Sequence, residues 1–280
     1  LRRWVKLGGL LAAVVVLSTL AFRASRPGFR RSFVVYYGAE WNPLLIGFDV
    51  AVVSPLFEHV DKLNDAGVLT VGYLSLCTVG DWEPWRGSVR DEWVVGLWEE
   101  WGERVVNVCE PGWRRVLLDE AVPFLVGRGF RGVMLDNADM VDRYPWMRGS
   151  MAELIKSIRE TYPDLYIIQN RGFSILNETC GYIDALLFED FGTLYDFEAE
   201  TYRPLTWKEL RETMRNASRV LELGEGRLEV FALAYADPNK PLTMRLYMSL
   251  VDRLASRYGF TPYVSDLNLT YVNGAYAKRR

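Results

Sequence analysis

Residues 113–139, WRRVLLDEAVPFLVGRGFRGVMLDNAD, hold a complete structural unit. Apolar residues recur at three-to-four-residue spacing from Trp113 to Val126, as a helix packed on one face requires. Gly129 then stands where a left-handed helix cap belongs. The continuous run Gly132 to Asp136 follows, and an unbroken apolar run of this length suits a strand buried on both faces. It ends on a carboxylate.

The same unit repeats along the chain. Eight short runs rich in β-branched and aromatic residues read as strands: Ser32–Tyr37, Asp49–Ser54, Val68–Leu76, Gly132–Asp136, Leu165–Asn170, Ala185–Glu189, Leu228–Tyr235 and Pro262–Asp266. Helical spacing occupies Leu56–Ala66, Trp113–Val126, Met151–Tyr162, Trp207–Leu223 and Thr243–Tyr258, with Gly67, Gly129 and Gly259 as stop signals. The connections after the first and fifth strands, the latter including Asn177–Cys180, are too short for a clear helix. Alternation on this scale implies a parallel sheet, and eight units in about 250 residues fit an α/β fold, the (β/α)₈ TIM barrel. An open doubly wound sheet is the rival, but a phosphate-binding glycine turn after the first strand is missing.

Ahead of the barrel, Arg2, Arg3 and Lys6 precede the apolar run Leu7–Phe22, followed by Arg23, Arg26, Arg30 and Arg31. This segment, residues 1–31, reads as a signal peptide or membrane anchor with a basic flank; the run is short of the roughly 20 residues of a comfortable span. An extracellular or cell-surface location is expected, with membrane contact through this segment if it is uncleaved. Asn-x-Ser/Thr acceptors at Asn177, Asn216 and Asn268 agree with export. The remaining residues, 32–280, contain no linker or repeat and form one domain.

The chain of 280 residues is 50% hydrophobic and 25% charged, which excludes disorder. Its formal charge of -3 conceals an asymmetry: residues 1–31 hold seven basic residues and no acid, leaving 26 Lys+Arg against 36 Asp+Glu, or -10, on the body. A nucleic-acid partner is therefore not expected. Cys77, Cys109 and Cys180 match no zinc pattern and make no disulfide framework, although one bridge such as Cys77 to Cys109 stays open. With His59 as the single histidine, and that one in a helical segment, most triad and His-metal chemistry is removed. No cofactor or metal is expected.

In a barrel, chemistry sits where strands end. Those ends present Tyr36, Tyr37, Ser54, Tyr73, Ser75, Asp136, Asn137, Asp139, Gln169, Asn170, Arg171, Glu189, Asp190, Tyr235, Asp237 and Asp266. Asp136 and Glu189 stand out, because each closes an apolar strand with an acid whose desolvation is costly. Two carboxylates facing one cleft can act as general acid and nucleophile or base in glycoside hydrolysis. Alternatively both are structural partners of Arg171 or another arginine, or Asp136 and Asp139 hold a divalent cation. Six of the ten tryptophans, Trp82, Trp85, Trp93, Trp98, Trp101 and Trp113, fall in the connection after the third strand. They offer sugar platforms or a satellite core; Trp98 and Trp101 would share a helix face with Val94 and Leu97, and no more than two of the six should meet a ligand.

The segments Val71-Gly-Tyr-Leu-Ser75, Gly129-Phe-Arg-Gly-Val-Met-Leu-Asp-Asn-Ala-Asp139, Ile168-Gln-Asn170, Phe188-Glu189 and Gly259-Phe-x-Pro-Tyr263 together resemble glycoside hydrolase family 114 over about Phe33–Leu269. That family includes endo-α-1,4-polygalactosaminidases on a (β/α)₈ barrel. The resemblance implies that Asp136 and Glu189 are the catalytic pair and that Tyr73, Asn170 and Tyr235 line the sugar site; Tyr37, Asn137, Asp139 and Asp237 join them as candidate substrate-binding residues by position. The expected function is cleavage of an extracellular polysaccharide, such as an amino-sugar polymer, with a non-catalytic glycan-binding envelope protein as the alternative. Where the family continues with glycine and glutamate after Ser75, this chain has Leu76-Cys-Thr-Val-Gly-Asp-Trp-Glu83, so the substrate loop is rebuilt.

Overall fold

The computed structural model describes residues 31–278. The apolar run Leu7–Phe22 and its reading as a signal or anchor lie outside the described residues. Among the described residues no helix is long and apolar enough to cross a membrane.

All eight expected runs form strands: β1 (Phe33–Tyr36), β2 (Val50–Val53), β3 (Leu69–Ser75), β4 (Gly132–Asp136), β5 (Tyr166–Asn170), β6 (Ala185–Phe188), β7 (Glu229–Tyr235) and β8 (Thr261–Ser265). They stand in that order in one sheet, each parallel to the next. Every residue of β1, β2 and β6 is buried, as continuous apolar sequence demands of strands covered on both faces. The sheet curls until β8 returns beside β1. No ladder joins them; the seam is filled by Phe33, whose ring lies 5.5 Å from Tyr263 and 4.6 Å from Phe231, and is tied by the Tyr37 N–H donating to the Leu269 carbonyl at 2.8 Å. This is the TIM barrel expected from the sequence.

The outer helices show where tertiary context overrides spacing. The first, α1 (Val60–Asp65), starts later than Leu56 because Ser54 captures the chain: its hydroxyl oxygen accepts from the Leu56 N–H and its carbonyl from the Phe57 N–H. The expected helix Trp113–Val126 is two helices, α2 (Pro111–Val116) and α3 (Val122–Gly127), joined by a π turn over Leu117–Ala121. Pro123 brings no N–H to the ladder, and the wider turn falls where that bond would be missing. The others are α4 (Arg148–Thr161), the single turn α5 (Leu176–Thr179), α6 (Trp207–Gly224) and α7 (Pro241–Tyr258). A capping box opens α6, with Thr206 and Glu209 bonding each other's backbone N–H groups, and Gly259 ends α7 at φ +71°. Between β1 and β2 only a 3₁₀ turn, Pro43–Gly47, intervenes.

Two insertions rise from the carboxyl-terminal rim. After β3 comes a three-stranded antiparallel sheet in the order Thr78–Val79, Glu103–Val106, Val94–Trp98. The expected helix face shared by Val94, Leu97, Trp98 and Trp101 is thus corrected: burial alternates along Val94–Trp98, with Val95 and Leu97 outward and Trp98 on the opposite face. Two adjacent β-branched valines before a glycine favour the extended chain, and period two then sorts the side chains. Trp113, fully buried, donates its indole N–H to the Leu76 carbonyl at 2.9 Å and anchors the insertion to the barrel. After β6 an unforeseen antiparallel hairpin pairs Thr193–Asp196 with Thr201–Pro204. Cys77, Cys109 and Cys180 are all free.

Candidate active site

Strand alternation decides what faces the barrel axis. Along β3 the pairs Tyr73 with Met134 and Ser75 with Asp136 place Tyr73, Ser75 and Asp136 on the inner face, at the end where the strands finish. Along β6, Phe188 turns outward into a cluster with Phe173 (4.5 Å) and Phe191 (5.0 Å), so the next residue, Glu189, points in. The result is a cleft of about 580 Å³ bounded by Asp136, Asn170, Glu189, Tyr37, Tyr73 and Tyr235.

Within it Asp136 and Glu189 have different surroundings. Asp136 Oδ1 accepts from the Asn170 side-chain amide at 2.7 Å and from the Asn137 N–H at 2.8 Å. The second bond exists because Asn137 adopts φ +63°, a left-handed conformation that asparagine tolerates, and folds its own amide back on its neighbour. Burial raises the Asp136 pKa, while Asn170, Asn137 and the adjacent Tyr73 hydroxyl pull it back. Glu189 Oε1 accepts from the Tyr235 hydroxyl at a longer 3.2 Å. Burial, reinforced by the charges of Asp136 and Asp190, pushes Glu189 up to about 8 against the opposing pull of Arg171 and Asn170. Both carboxyls are raised by burial, but hydrogen bonds oppose the rise at Asp136 while the charge of Asp136 adds to it at Glu189, a difference that suits nucleophile and acid roles.

The arginine alternative resolves against both residues. Arg171 pairs with Asp139 at 3.2 Å and Asp190 at 3.3 Å, and among the described residues neither Asp136 nor Glu189 makes an ion pair. Asp139 is thereby engaged by a guanidinium, and among the described residues no group of three metal-ligating side chains occurs. His59 packs edge-on against Trp41 and Phe57, away from the cleft.

Of the remaining candidates, Tyr37, Tyr73, Asn170 and Tyr235 line the cleft. Burial and the nearby carboxylates raise all three tyrosines well above their ordinary range, so they stay neutral hydroxyl donors. Asn137 also borders the cleft but is 2% exposed, its amide donating to Ser75 Oγ at 2.9 Å and Thr78 Oγ1 at 3.0 Å; its place is in the scaffold beneath Asp136. Asp237 is not brought into the cleft. Its Oδ1 accepts from the Asn239 N–H at 2.9 Å and its Oδ2 pairs with Lys240 at 3.3 Å, so a local turn has captured it.

The insertions complete the walls. Trp82, Trp98 and Trp101, three of the six clustered tryptophans, face the cleft, while Trp85, Trp93 and Trp113 are buried. Trp82 lies 5.9 Å from Tyr73. From the opposite insertion come Tyr195 and Phe197, and Phe197 meets Trp101 edge-to-face at 6.1 Å. Glu103, absent from the residues expected, adds a further acid, so among the described residues five carboxyl groups (Glu103, Asp136, Asp139, Glu189, Asp190) and one arginine line the cleft. The Leu267–Leu269 loop closes the remaining side, with Asn268 exposed at the mouth. Alternation in Thr-Leu-Tyr-Asp196 and Thr-Tyr-Arg-Pro204 was the one sequence signal for the second hairpin.

The model of glycoside-hydrolase family GH114 matches residues 24–279. Among solved structures, the glycoside hydrolase domain of PelA from Pseudomonas aeruginosa is 25% identical, with a TM-score of 0.75 over 86% of this chain and 96% of that one. Aspergillus fumigatus Ega3 in complex with galactosamine shares the fold at 13% identity and a TM-score of 0.68, covering 87% and 94%. The Thermus thermophilus α-galactosidase TtGalA does so at 15% identity and 0.57, over 85% and 58%. No curated protein matches the chain.

Proposed function

This chain belongs to glycoside-hydrolase family GH114 and is a glycosidase, and from that premise we propose that it cleaves internal linkages of an amino-sugar polymer such as α-1,4-polygalactosamine, using Asp136 and Glu189 as its catalytic pair. The observation that carries this reading is the unequal environment of the two acids, with Asp136 fixed by two hydrogen bonds from amides and Glu189 raised to about 8.

In the mechanism proposed, Glu189 gives its proton to the glycosidic oxygen as the bond to the anomeric carbon breaks, and Asp136 attacks that carbon from the other face. Water then displaces Asp136, surrendering a proton to Glu189 and restoring both groups. Asn170 holds the Asp136 oxygen in place during this exchange, and the neutral tyrosines are available to the sugar hydroxyls. Trp82, Trp98 and Trp101 supply flat surfaces for sugar rings. Support for a cationic polymer comes from the acidic cleft and from the body charge of -10, which attracts positive chains at long range. Ega3, a neighbour in fold, is seen with galactosamine.

The test is release of reducing ends from de-N-acetylated galactosamine polymer, with the anomeric form of the first product followed by proton NMR. Activity lost in folded Asp136→Asn and Glu189→Gln, with retention of configuration in the parent, is expected. Inversion would remove Asp136 as nucleophile, and binding without turnover by the parent would remove the mechanism.

A further inference from the structure

Glu103 stands opposite Trp98 in the antiparallel register of the insertion, so the two side chains share one face of the hairpin and both reach the cleft. The neighbouring pair, Leu97 opposite Arg104, occupies the other face, where Arg104 lies 3.6 Å from Asp91. The one basic residue beside Glu103 in sequence is thus turned outward. Among the described residues Glu103 makes no ion pair, and its hydrogen-bond donor is the Thr78 hydroxyl, at 2.7 Å from Oε2.

That single donor is itself fixed. Thr78 Oγ1 accepts from Asn137 Nδ2 at 3.0 Å and lies 2.7 Å from Ser75 Oγ, which in turn accepts from the Thr78 N–H at 2.9 Å and from Asn137 Nδ2 at 2.9 Å. Since Thr78 gives its proton to Glu103, the Ser75 hydroxyl must donate to Thr78, and every group in the chain is satisfied in one orientation. The Asn137 N–H ends the chain on Asp136. A set of buried hydrogen bonds therefore holds Glu103 at a fixed offset from Asp136, with one carboxylate oxygen left for a ligand and an indole beside it.

We propose that Glu103 is the residue that recognises the sugar's amino group, accepting from an ammonium while Trp98 carries the ring, and so makes the glycosidase prefer a free-amine polymer to its N-acetylated counterpart. This rests on the amino-sugar reading above. An acetamide has no positive charge to answer the carboxylate and is bulkier than an ammonium, so the same position rejects it. Charge-assisted hydrogen bonds are the strong ones, and a carboxylate already oriented by Thr78 loses little freedom on binding.

Steady-state kinetics of the parent, Glu103→Gln and Glu103→Asp on de-N-acetylated galactosamine polymer and on the N-acetylated polymer test this. Glutamine keeps an oxygen for the Thr78 hydroxyl and so preserves the chain of bonds. The expected result is a roughly ten- to hundredfold rise in KM on the free-amine polymer for Glu103→Gln, with a smaller change in kcat, a flatter salt dependence and an intermediate value for Glu103→Asp. KM within about twofold of the parent, or an equal rise on both polymers, overturns the assignment while the glycosidase reading stands. A parent that cleaves the N-acetylated polymer equally well overturns it too. A parent that cleaves neither polymer removes the amino-sugar reading and this inference with it.

Discussion

The Asn170 side-chain amide donates to Asp136 Oδ1 at 2.7 Å across the boundary between two adjacent strands, and it is also one of the groups that restrain Glu189 from protonation. A hydrogen bond to a carboxylate favours its charged form. Asn170→Ala should therefore raise the Asp136 pKa and move the acid limb of kcat/KM upward by about one unit. A pH profile measures this, and an unmoved limb would mean that another group titrates there.

Glu189 is raised to about 8 first by burial and then by the charge of Asp136. Activity that depends on a protonated Glu189 should fall as pH passes about 8. Asp136→Asn removes the second cause and leaves the first, so Glu189 should titrate lower in that variant while staying above an exposed glutamate. Carbon-13 NMR of labelled glutamate reads the shift directly; an unchanged Glu189 would show that the two acids do not sense each other.

Glu83, 1% exposed, accepts from the Gly80 N–H at 2.9 Å through one oxygen and among the described residues has no partner for the other, and burial raises it to about 8. The folded protein thus binds a proton between about 4.5 and 8 that the unfolded chain releases, so this residue's contribution to stability is lost as pH rises through that window. Tm of the parent should fall between pH 6 and 9, and Glu83→Gln should flatten that fall by roughly 4 °C or more. Parallel Tm curves would refute the assignment.

Trp101 and Phe197 are 49% and 51% exposed, yet their rings meet at 6.1 Å from insertions that follow β3 and β6. Trp101→Ala and Phe197→Ala should each leave Tm within about 2 °C, since surface truncations cost little. KM for polymer should rise severalfold in each. Because the residues touch, the double variant should lose less than the two effects combined. Additive losses would indicate separate contacts with the substrate.

Much of this was legible because buried parallel strands leave an unmistakable trace: the eight apolar runs mark β1–β8, and an acid closing such a run, as at Asp136 or Glu189, has to be explained by function or by a partner. The insertions were harder. Val94–Trp98 satisfies helical spacing as readily as alternation, and only pairing with Glu103–Val106 decides between them. Glu103 lies 33 residues before Asp136 and 86 before Glu189, and nothing local marks it as part of the cleft. Asp237 lies outside the cleft for the opposite reason. The sequence Asp237-Pro-Asn-Lys240 carries its own turn chemistry, and its carboxylate is taken up by local partners.

Asn268 stands exposed at the mouth of the cleft and heads the triplet Asn-Leu-Thr, with the Thr270 hydroxyl donating to Asp266 at 2.8 Å behind it. A branched oligosaccharide attached there would project across the entrance through which a polymer must arrive. The choice of expression host thus becomes a chemical variable. The same polypeptide made where Asn-x-Thr is modified would carry its own obstruction, and made in a cytoplasm without that machinery it would present an open door.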